Sequence, residues 1–326
     1  MAYSIWVLAD ERPGHRNQAL GVAEALGLPF AIQEIHYGPL GRLPNGLLSA
    51  TLLGVTRQTR ASLAPPWPDL VIAAGRRTAP VARWIRRRSG GTVRLVQLMD
   101  PGGFGQGEFD LIAIPGHDTR RRGGPNILHT IGAPNRVSAA CLATERARWS
   151  ERLAGLRRPL IALIVGGATH DRPFPPAMAA DLGAQVTRLA AQAGGAIAVT
   201  TSPRTGRVAE KALLAALPGA AFVHRWSPTG ENPYYGLLAS ADISVVTGES
   251  ASMLSEACAT GGAVYVFAPP GWVAPKHARF HADLFRQGLA RPLGETFAPW
   301  THAPLEAAAD VARAIRERLG APPPVS

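Results

Sequence analysis

The chain has 326 residues, of which 46% are hydrophobic and 17% charged, and a formal net charge of +11. That length and apolar content predict two globular domains and exclude global disorder. The 35 Gly and 29 Pro are spread without a fixed period, which excludes collagen-like and solenoid architectures.

Short apolar runs, each closed by a turn signal and followed by a helical pattern, succeed one another along the chain. The first is 4–9 (SIWVLA), then the Arg12-Pro13-Gly14-His15 turn and a helix over 17–26 ending at Gly27. Residues 70–74 (LVIAA) lead through Gly75 to a helix over 79–88. Strands over 93–98 and 111–114 end at Asp100-Pro101 and Pro115-Gly116. A charged helical connector over 144–156 then precedes a fresh start at Pro159. Strands over 160–165, 196–201, 222–226, 243–247 and 263–268 follow, with helices over 176–192, 250–259 and 305–319 and a Pro-rich tail. Continuous apolar runs alternating with helices signify βα units and parallel sheets. The fold class expected is α/β: two Rossmann-like domains, 1–155 and 156–326, facing a cleft.

Charge divides unevenly over that frame. Residues 1–158 hold 21 Arg against 11 acidic residues, a net of +10, whereas 159–326 hold 13 Lys and Arg against 12 acidic residues, a net of +1. A first half this basic expects an anionic partner. Cys141 and Cys258 are too few for a disulfide framework or a zinc cluster. Asp10 and Glu11 arrive before any long apolar run, so no signal peptide is expected, and no stretch reaches the ~18 apolar residues of a spanning helix. A cytoplasmic location fits, with attachment to the inner face of the cytoplasmic membrane a further option. The apolar segment 46–55 (GLLSATLLGV), flanked by arginines, reads either as an interfacial element or as a buried helix.

In open α/β sheets ligands bind beyond the carboxyl ends of the strands, so the turns carry the candidates. In the first turn, Gly14 allows a tight bend, and His15 and Asn17 stand at a helix start. His15 suits a general base, and Asn17 suits either a ligand contact or the helix cap. Arg76 and Arg77 follow Gly75 at a helix's positive end, where they oppose its dipole and favour an anionic ligand over solvation alone. Asp100, His117 and Asp118 lie at strand ends, able to act as a base, contact substrate or tie loops. In the second half, the Gly166-Gly167-Ala168-Thr169 turn exposes amides that can cradle phosphate, and Arg204 follows a hydroxyl-rich strand end. The most informative stretch opens at Asn232-Pro233 and runs through Thr247-Gly248-Glu249-Ser250-Ala251-Ser252 to Glu256. It offers a diphosphate site at a helix start, with Glu256 placed for ribose hydroxyls or else on a solvated face. A Walker phosphate loop, an HExxH metal motif and a dinucleotide GxGxxG are absent.

The blocks at 13–18, 74–78, 109–118, 164–167, 232–233, 246–266 and 276–281 resemble, in order, the family named after the plant mitochondrial-fission factor Elm. Its bacterial members are described as candidate glycosyltransferases. The resemblance implies the GT-B architecture, with an acceptor domain first and a nucleotide-sugar domain second. It implies His15 as the catalytic base, with Asp100 the alternative among the strand-end groups and Gly14, Asn17, Arg76, His117 and Asp118 the candidates for substrate contact. It implies that Gly166, Gly167, Arg204 and the turn 248–252, with Ser250 and Ser252, hold the donor phosphates and Glu256 the ribose; Thr169, Asn232, Thr247 and Glu249 are the further donor-binding candidates. Where the family more often carries an aspartate before the last turn's serine, this chain has Glu249. GT-B chemistry implies no cofactor and no metal, the leaving diphosphate being stabilised by a helix end and an arginine. The partners implied are a nucleotide-diphosphate sugar, an anionic or lipid-linked acceptor of the cell envelope, and an anionic membrane surface. Nucleic acid is disfavoured because aromatic residues are only 6% and do not interleave with the arginines. The competing class is a non-enzymatic scaffold that recruits a membrane-remodelling partner.

Overall fold

The structure, a computed structural model, describes residues 3–102, 104–118, 123–294, 297 and 300–324. The chain divides into two compact units, Met1–Arg136 with Glu306–Ser326, and Val137–Leu305.

Unit 1 opens with β1 (Ile5–Asp10), α1 (Pro13–Leu26) and β2 (Phe30–Ile35). Two short helices, α2 (Asn45–Leu48) and α3 (Arg57–Ser62), lead to β3 (Leu70–Ala74) and α4 (Ala79–Arg88). Strands β4 (Arg94–Leu98), β5 (Leu111–Pro115) and β6 (Ile127–Thr130) complete it. All six strands are parallel, in the order β2-β1-β3-β4-β5-β6. Strands β3 and β5 are buried throughout, because helices cover both faces and apolar residues are needed on each.

Unit 2 begins with α5 (Ala139–Leu153), followed by β7 (Leu160–Ile164), α6 (Pro176–Ala193), β8 (Ala196–Thr200), α7 (Arg207–Ala215) and β9 (Ala220–His224). The chain then continues through α8 (Tyr234–Ser240), β10 (Ile243–Thr247), α9 (Ala251–Cys258), β11 (Ala263–Phe267), α10 (Pro275–Arg286) and β12 (Arg291–Pro292). Its six parallel strands run β12-β11-β10-β7-β8-β9. The last helix, α11 (Ala307–Leu319), returns to unit 1. There Val311 and Ile315 join the core beside Val22 and Leu26, and Arg316 donates to the carbonyls of Ala25 and Leu26, which α1 cannot satisfy itself.

These contacts move the expected boundary at 155/156 to 136/137. The charged surface of 144–156 suggested a connector, but the helix spans Ala139–Leu153, and Trp149 is buried against Gly236 of α8. The formal charge becomes +7 for unit 1 and +4 for unit 2, a milder contrast than the two halves give. Helix α1 starts at Pro13, where proline's missing N–H costs nothing, so Arg12 holds the cap position and Asn17 lies inside the helix. The strand expected at 222–226 runs over Ala220–His224. Segment 46–55 is not a buried helix: α2 is four residues long, Leu48, Ala50 and Val55 are buried, and Leu47 and Leu53 are exposed.

Candidate functional site

Each sheet reverses its strand order once. In unit 1 the chain leaves β1 for β2 on one side and reaches β3 on the other, and in unit 2 it leaves β7 for β8 and later returns beside it as β10. The crevice at such a reversal is where open α/β sheets bind ligands, because the loops on its two sides diverge.

At the unit 1 reversal, β1 ends in Asp10 and β3 ends before Gly75. His15, in the first turn of α1, places Nδ1 2.7 Å from the Asp10 carboxylate. Asp10 has 1% of its side chain exposed, and His15 15%. Burial alone would raise the Asp10 carboxyl, but the hydrogen bond and charge of His15, with Arg77 at 4.0 Å, offset it and hold the group below its ordinary range. An ionised Asp10 only accepts, so Nδ1 carries a proton, and the neutral form of the imidazole presents its lone pair at Nε2. Among the described residues Nε2 has no hydrogen-bond partner. Gly75 makes this pair possible: its φ is +80°, and a Cβ there would run into the imidazole.

Other unit 1 candidates are placed differently. Arg76 donates to the Leu43 carbonyl at 2.8 Å and to Asn45 Oδ1 at 3.3 Å, while buried Asn45 donates to the carbonyls of Arg76 and Pro101. Arg77 lies 3.7 Å over the Tyr37 ring and 3.3 Å from Glu11. Thr78 stands at the α4 cap position but donates to the Ala74 and Gly75 carbonyls instead of capping. Asp100 takes the loop-tying option, its Oδ1 accepting from the Gly102 amide and the Gln106 side chain. His117 is buried in a 3-10 turn directly after β5, with Asp118 next to it. Gly14 and Asn17 lie on α1 to either side of His15, Gly14 exposed and Asn17 half-buried. Sequence reasoning placed His15 but missed Asp10 as its partner. A carboxylate ending a buried strand five residues before the histidine was the available signal.

At the unit 2 reversal the nominated residues do converge, but on one another. The Gly166 amide donates to Thr247 Oγ1 and the Gly167 amide to Glu249 Oε1, each at 2.8 Å. Arg204 reaches the same Glu249 oxygen at 3.2 Å, and the Gly166 carbonyl accepts from Ser202 and Thr205. Glycines are required here because a Cβ on Gly166 would strike Glu249 and one on Gly167 the Arg204 carbonyl. The amides expected to cradle phosphate are therefore occupied within the protein. Burial raises the Glu249 carboxyl, with Arg204 and the Gly167 amide pulling the other way, and among the described residues Glu249 Oε2 is buried with no hydrogen-bond partner.

Ser250 caps α9, its hydroxyl accepting from the Met253 amide, while the first-turn amides of Ala251 and Ser252 have no acceptor within the helix. Glu256 lies on no solvated face. It is 6% exposed and accepts from the hydroxyls of Tyr234 and Tyr235, and burial pushes its carboxyl up to about 7 despite both bonds. Asn232 is exposed and accepts from the Tyr234 amide, and Thr169 turns to Asp171. A cavity of about 520 Å³ lies beside β11 and α10, lined by Phe267, Ala268, His281 and Phe285 among others, and none of the nominated donor residues lines it. His281 Nε2–H donates to the Gly248 carbonyl at 2.8 Å. Among the described residues no three His, Cys, Asp or Glu side chains converge as metal ligands, and no helix is long and apolar enough to cross a membrane.

Comparison with known proteins matches this arrangement to a lineage and a fold. The family model described as mitochondrial fission ELM1 matches residues 13–319. The chain is 27% identical over 352 aligned positions to an uncharacterised protein of Rickettsia prowazekii (strain Madrid E), covering 97% of this chain and 98% of that one. It is 28% identical over 301 positions to the mitochondrial fission protein ELM1 of Arabidopsis thaliana, covering 84% and 69%. Among solved structures, the UDP-GlcNAc 2-epimerase of Methanocaldococcus jannaschii has a TM-score of 0.56 at 11% identity, covering 96% of this chain and 99% of that one. MurG of Acinetobacter baumannii has 0.51 at 15% identity, covering 97% and 99%. The Neisseria meningitidis UDP-GlcNAc 2-epimerase, bound to UDP-GlcNAc, has 0.52 at 11% identity, again covering 97% and 99%. Likeness at these identities establishes the fold, the GT-B architecture of glycosyltransferases and epimerases.

Proposed function

The chain belongs to the mitochondrial fission ELM1 family, and from that premise we propose that it is a glycosyltransferase moving a sugar from a nucleotide-diphosphate donor to a cell-envelope or lipid-linked acceptor. The observation that carries this reading is the Asp10–His15 pair at the unit 1 reversal, with Nε2 uncommitted. Nε2 takes the proton of an acceptor hydroxyl as that oxygen bonds to the anomeric carbon. The bond from that carbon to the diphosphate breaks, and the diphosphate leaves with the electron pair. Unit 2 holds the donor, with Arg204 and the first-turn amides of α9 stabilising the departing charge and no metal or cofactor required. The fold relative bound to UDP-GlcNAc recommends nucleotide sugars as the ligand class. A cytoplasmic location, peripheral at the inner membrane face, completes the reading.

Thermal-shift titration with UDP, GDP and ADP tests the donor half. At least one is expected to raise the melting temperature of the wild type more than that of Arg204→Ala, and no shift with any of them counts against the reading. The self-satisfied Gly166-Gly167 turn favours the second reading, a non-enzymatic scaffold recruiting a membrane-remodelling partner. Under it, His15→Ala would sustain function in a complementation assay. Under the transferase reading it would not.

A further inference from the structure

Unit 1 carries a concentration of positive charge that the proposed proton transfer does not use. Arg12, Arg42, Arg76 and Arg77 line a cavity of about 690 Å³, with Glu11 the one carboxylate in its wall. A neighbouring cavity of about 490 Å³ shares Arg42 and Arg76 and is also lined by Asn45 and Phe104. The four guanidiniums are unequally engaged. Arg77 pairs with Glu11, and Arg76 is held by neutral acceptors, the Leu43 carbonyl and the buried Asn45. Arg12 and Arg42 are exposed and form no ion pair among the described residues. Their uncompensated charge, beside an Arg76 already fixed in orientation, suits a ligand carrying more than one negative oxygen.

The rim is of the opposite kind. Leu40, Leu47, Leu53 and Phe104 are exposed by 44%, 70%, 50% and 53%. Single exposed apolar residues are ordinary, but Phe104 lines one cavity and the other three belong to the chain segment 40–53 that supplies lining residues to both. Leu40 lies between the lining residues Pro39 and Arg42, Leu47 follows Gly46, and Phe104 is itself in the wall. Leu53 precedes Gly54, whose carbonyl lies against Gly41.

We infer that this face of unit 1 binds a membrane lipid ending in a phosphate or diphosphate. The headgroup occupies the arginine-lined cavities, and the hydrocarbon adjoining it rests on Leu47, Leu53 and Phe104. The inference rests on the transferase reading only for calling this lipid the acceptor. Binding itself needs neither donor nor His15, so the two ideas fail separately.

Vesicle flotation at matched surface charge tests it. Three vesicle types are used: phosphatidylcholine alone, phosphatidylcholine with phosphatidylglycerol, and phosphatidylcholine with a long-chain polyprenyl diphosphate. The wild type is expected to float with the diphosphate vesicles at least fivefold more than with the phosphatidylglycerol vesicles, and not with phosphatidylcholine alone. Arg12→Ala/Arg42→Ala is expected to lose that preference, with its melting curve confirming the fold. Leu47→Ser/Leu53→Ser is expected to lose flotation while still binding soluble pyrophosphate in calorimetry. Equal flotation with the two anionic vesicles would reduce the site to general surface charge. No flotation by the wild type, flotation by the double arginine variant equal to it, or undiminished flotation of the leucine variant would each overturn the inference.

Discussion

The two units offer the same opening, the crevice where strand order reverses, and fill it in opposite ways. In unit 1 the strand-end carboxylate engages one imidazole nitrogen and leaves the other uncommitted. In unit 2 the strand-end amides, the Thr247 hydroxyl and the Glu249 carboxylate bond to each other, and two tyrosines hold Glu256. Both reversals are rich in polar residues, so polarity alone does not mark a binding site. What separates them is which groups protein partners satisfy: unit 2 bonds its strand-end amides and leaves only a buried Glu249 oxygen without a hydrogen bond among the described residues, whereas unit 1 leaves Nε2 of His15 open.

The sharpest way to break this contrast is to remove the free imidazole. His15→Ala is expected to lower sugar transfer by about 10²–10⁴-fold, with a cooperative melting curve confirming the fold. A loss below threefold in steady-state transfer would place the chemistry elsewhere. Asp10→Asn keeps the shape but not the charge that fixes the Nδ1–H tautomer, and a fall of about 10²-fold or more is expected. A pH–rate profile unchanged from the wild type would contradict that role.

On the unit 2 side, Glu256 makes a pH-dependent prediction. Its carboxyl is raised from 4.5 in the unfolded chain to about 7 in the fold. Its contribution is thus complete below the unfolded value and is lost as pH climbs through the folded one. Stability should fall between those limits by up to about 3 kcal/mol. Glu256→Gln, which keeps one acceptor oxygen and mimics the protonated acid, should match the wild type in denaturant melts at pH 5 and exceed it at pH 8. Equal stability at both would remove the buried ionisation. Gly75→Ala returns to unit 1. Its Cβ meets the imidazole at a φ unfavourable to alanine, and a cost of about 1–3 kcal/mol is expected with reduced transfer. The smallest effect belongs to Glu249→Gln. Removing one negative charge beside a bound diphosphate should tighten nucleotide binding by about threefold to tenfold, and weaker binding in calorimetry would show that the carboxylate assists the donor.

The central strands were legible in the sequence because burial on both faces writes a continuous apolar run; 70–74 and 243–247 coincide with β3 and β10. The strands that escaped notice, β2, β6 and β12, all lie at sheet edges. β2 mixes Gln33 and Glu34 with its apolar residues, and β12 is two residues long. The boundary was misplaced because the charged surface of α5 hides the stripe of Trp149 and Leu153 that ties it to unit 2. At the sites, position was legible and partnership was not. Strand-end turns nominated His15, Gly166, Thr247 and Glu249, but which of them bond to each other depends on loops from strands distant in sequence.

The account turns on whether the free imidazole of unit 1 performs a transfer. The direct measurement uses UDP-, GDP- and ADP-sugars carrying a radiolabel, incubated with a bacterial envelope lipid extract and either the wild type or His15→Ala. Label entering the organic-extractable fraction with the wild type and one of these donors, and falling at least 10²-fold in the variant, is the predicted result. Equal incorporation by both proteins, or none by the wild type from any donor, would contradict it.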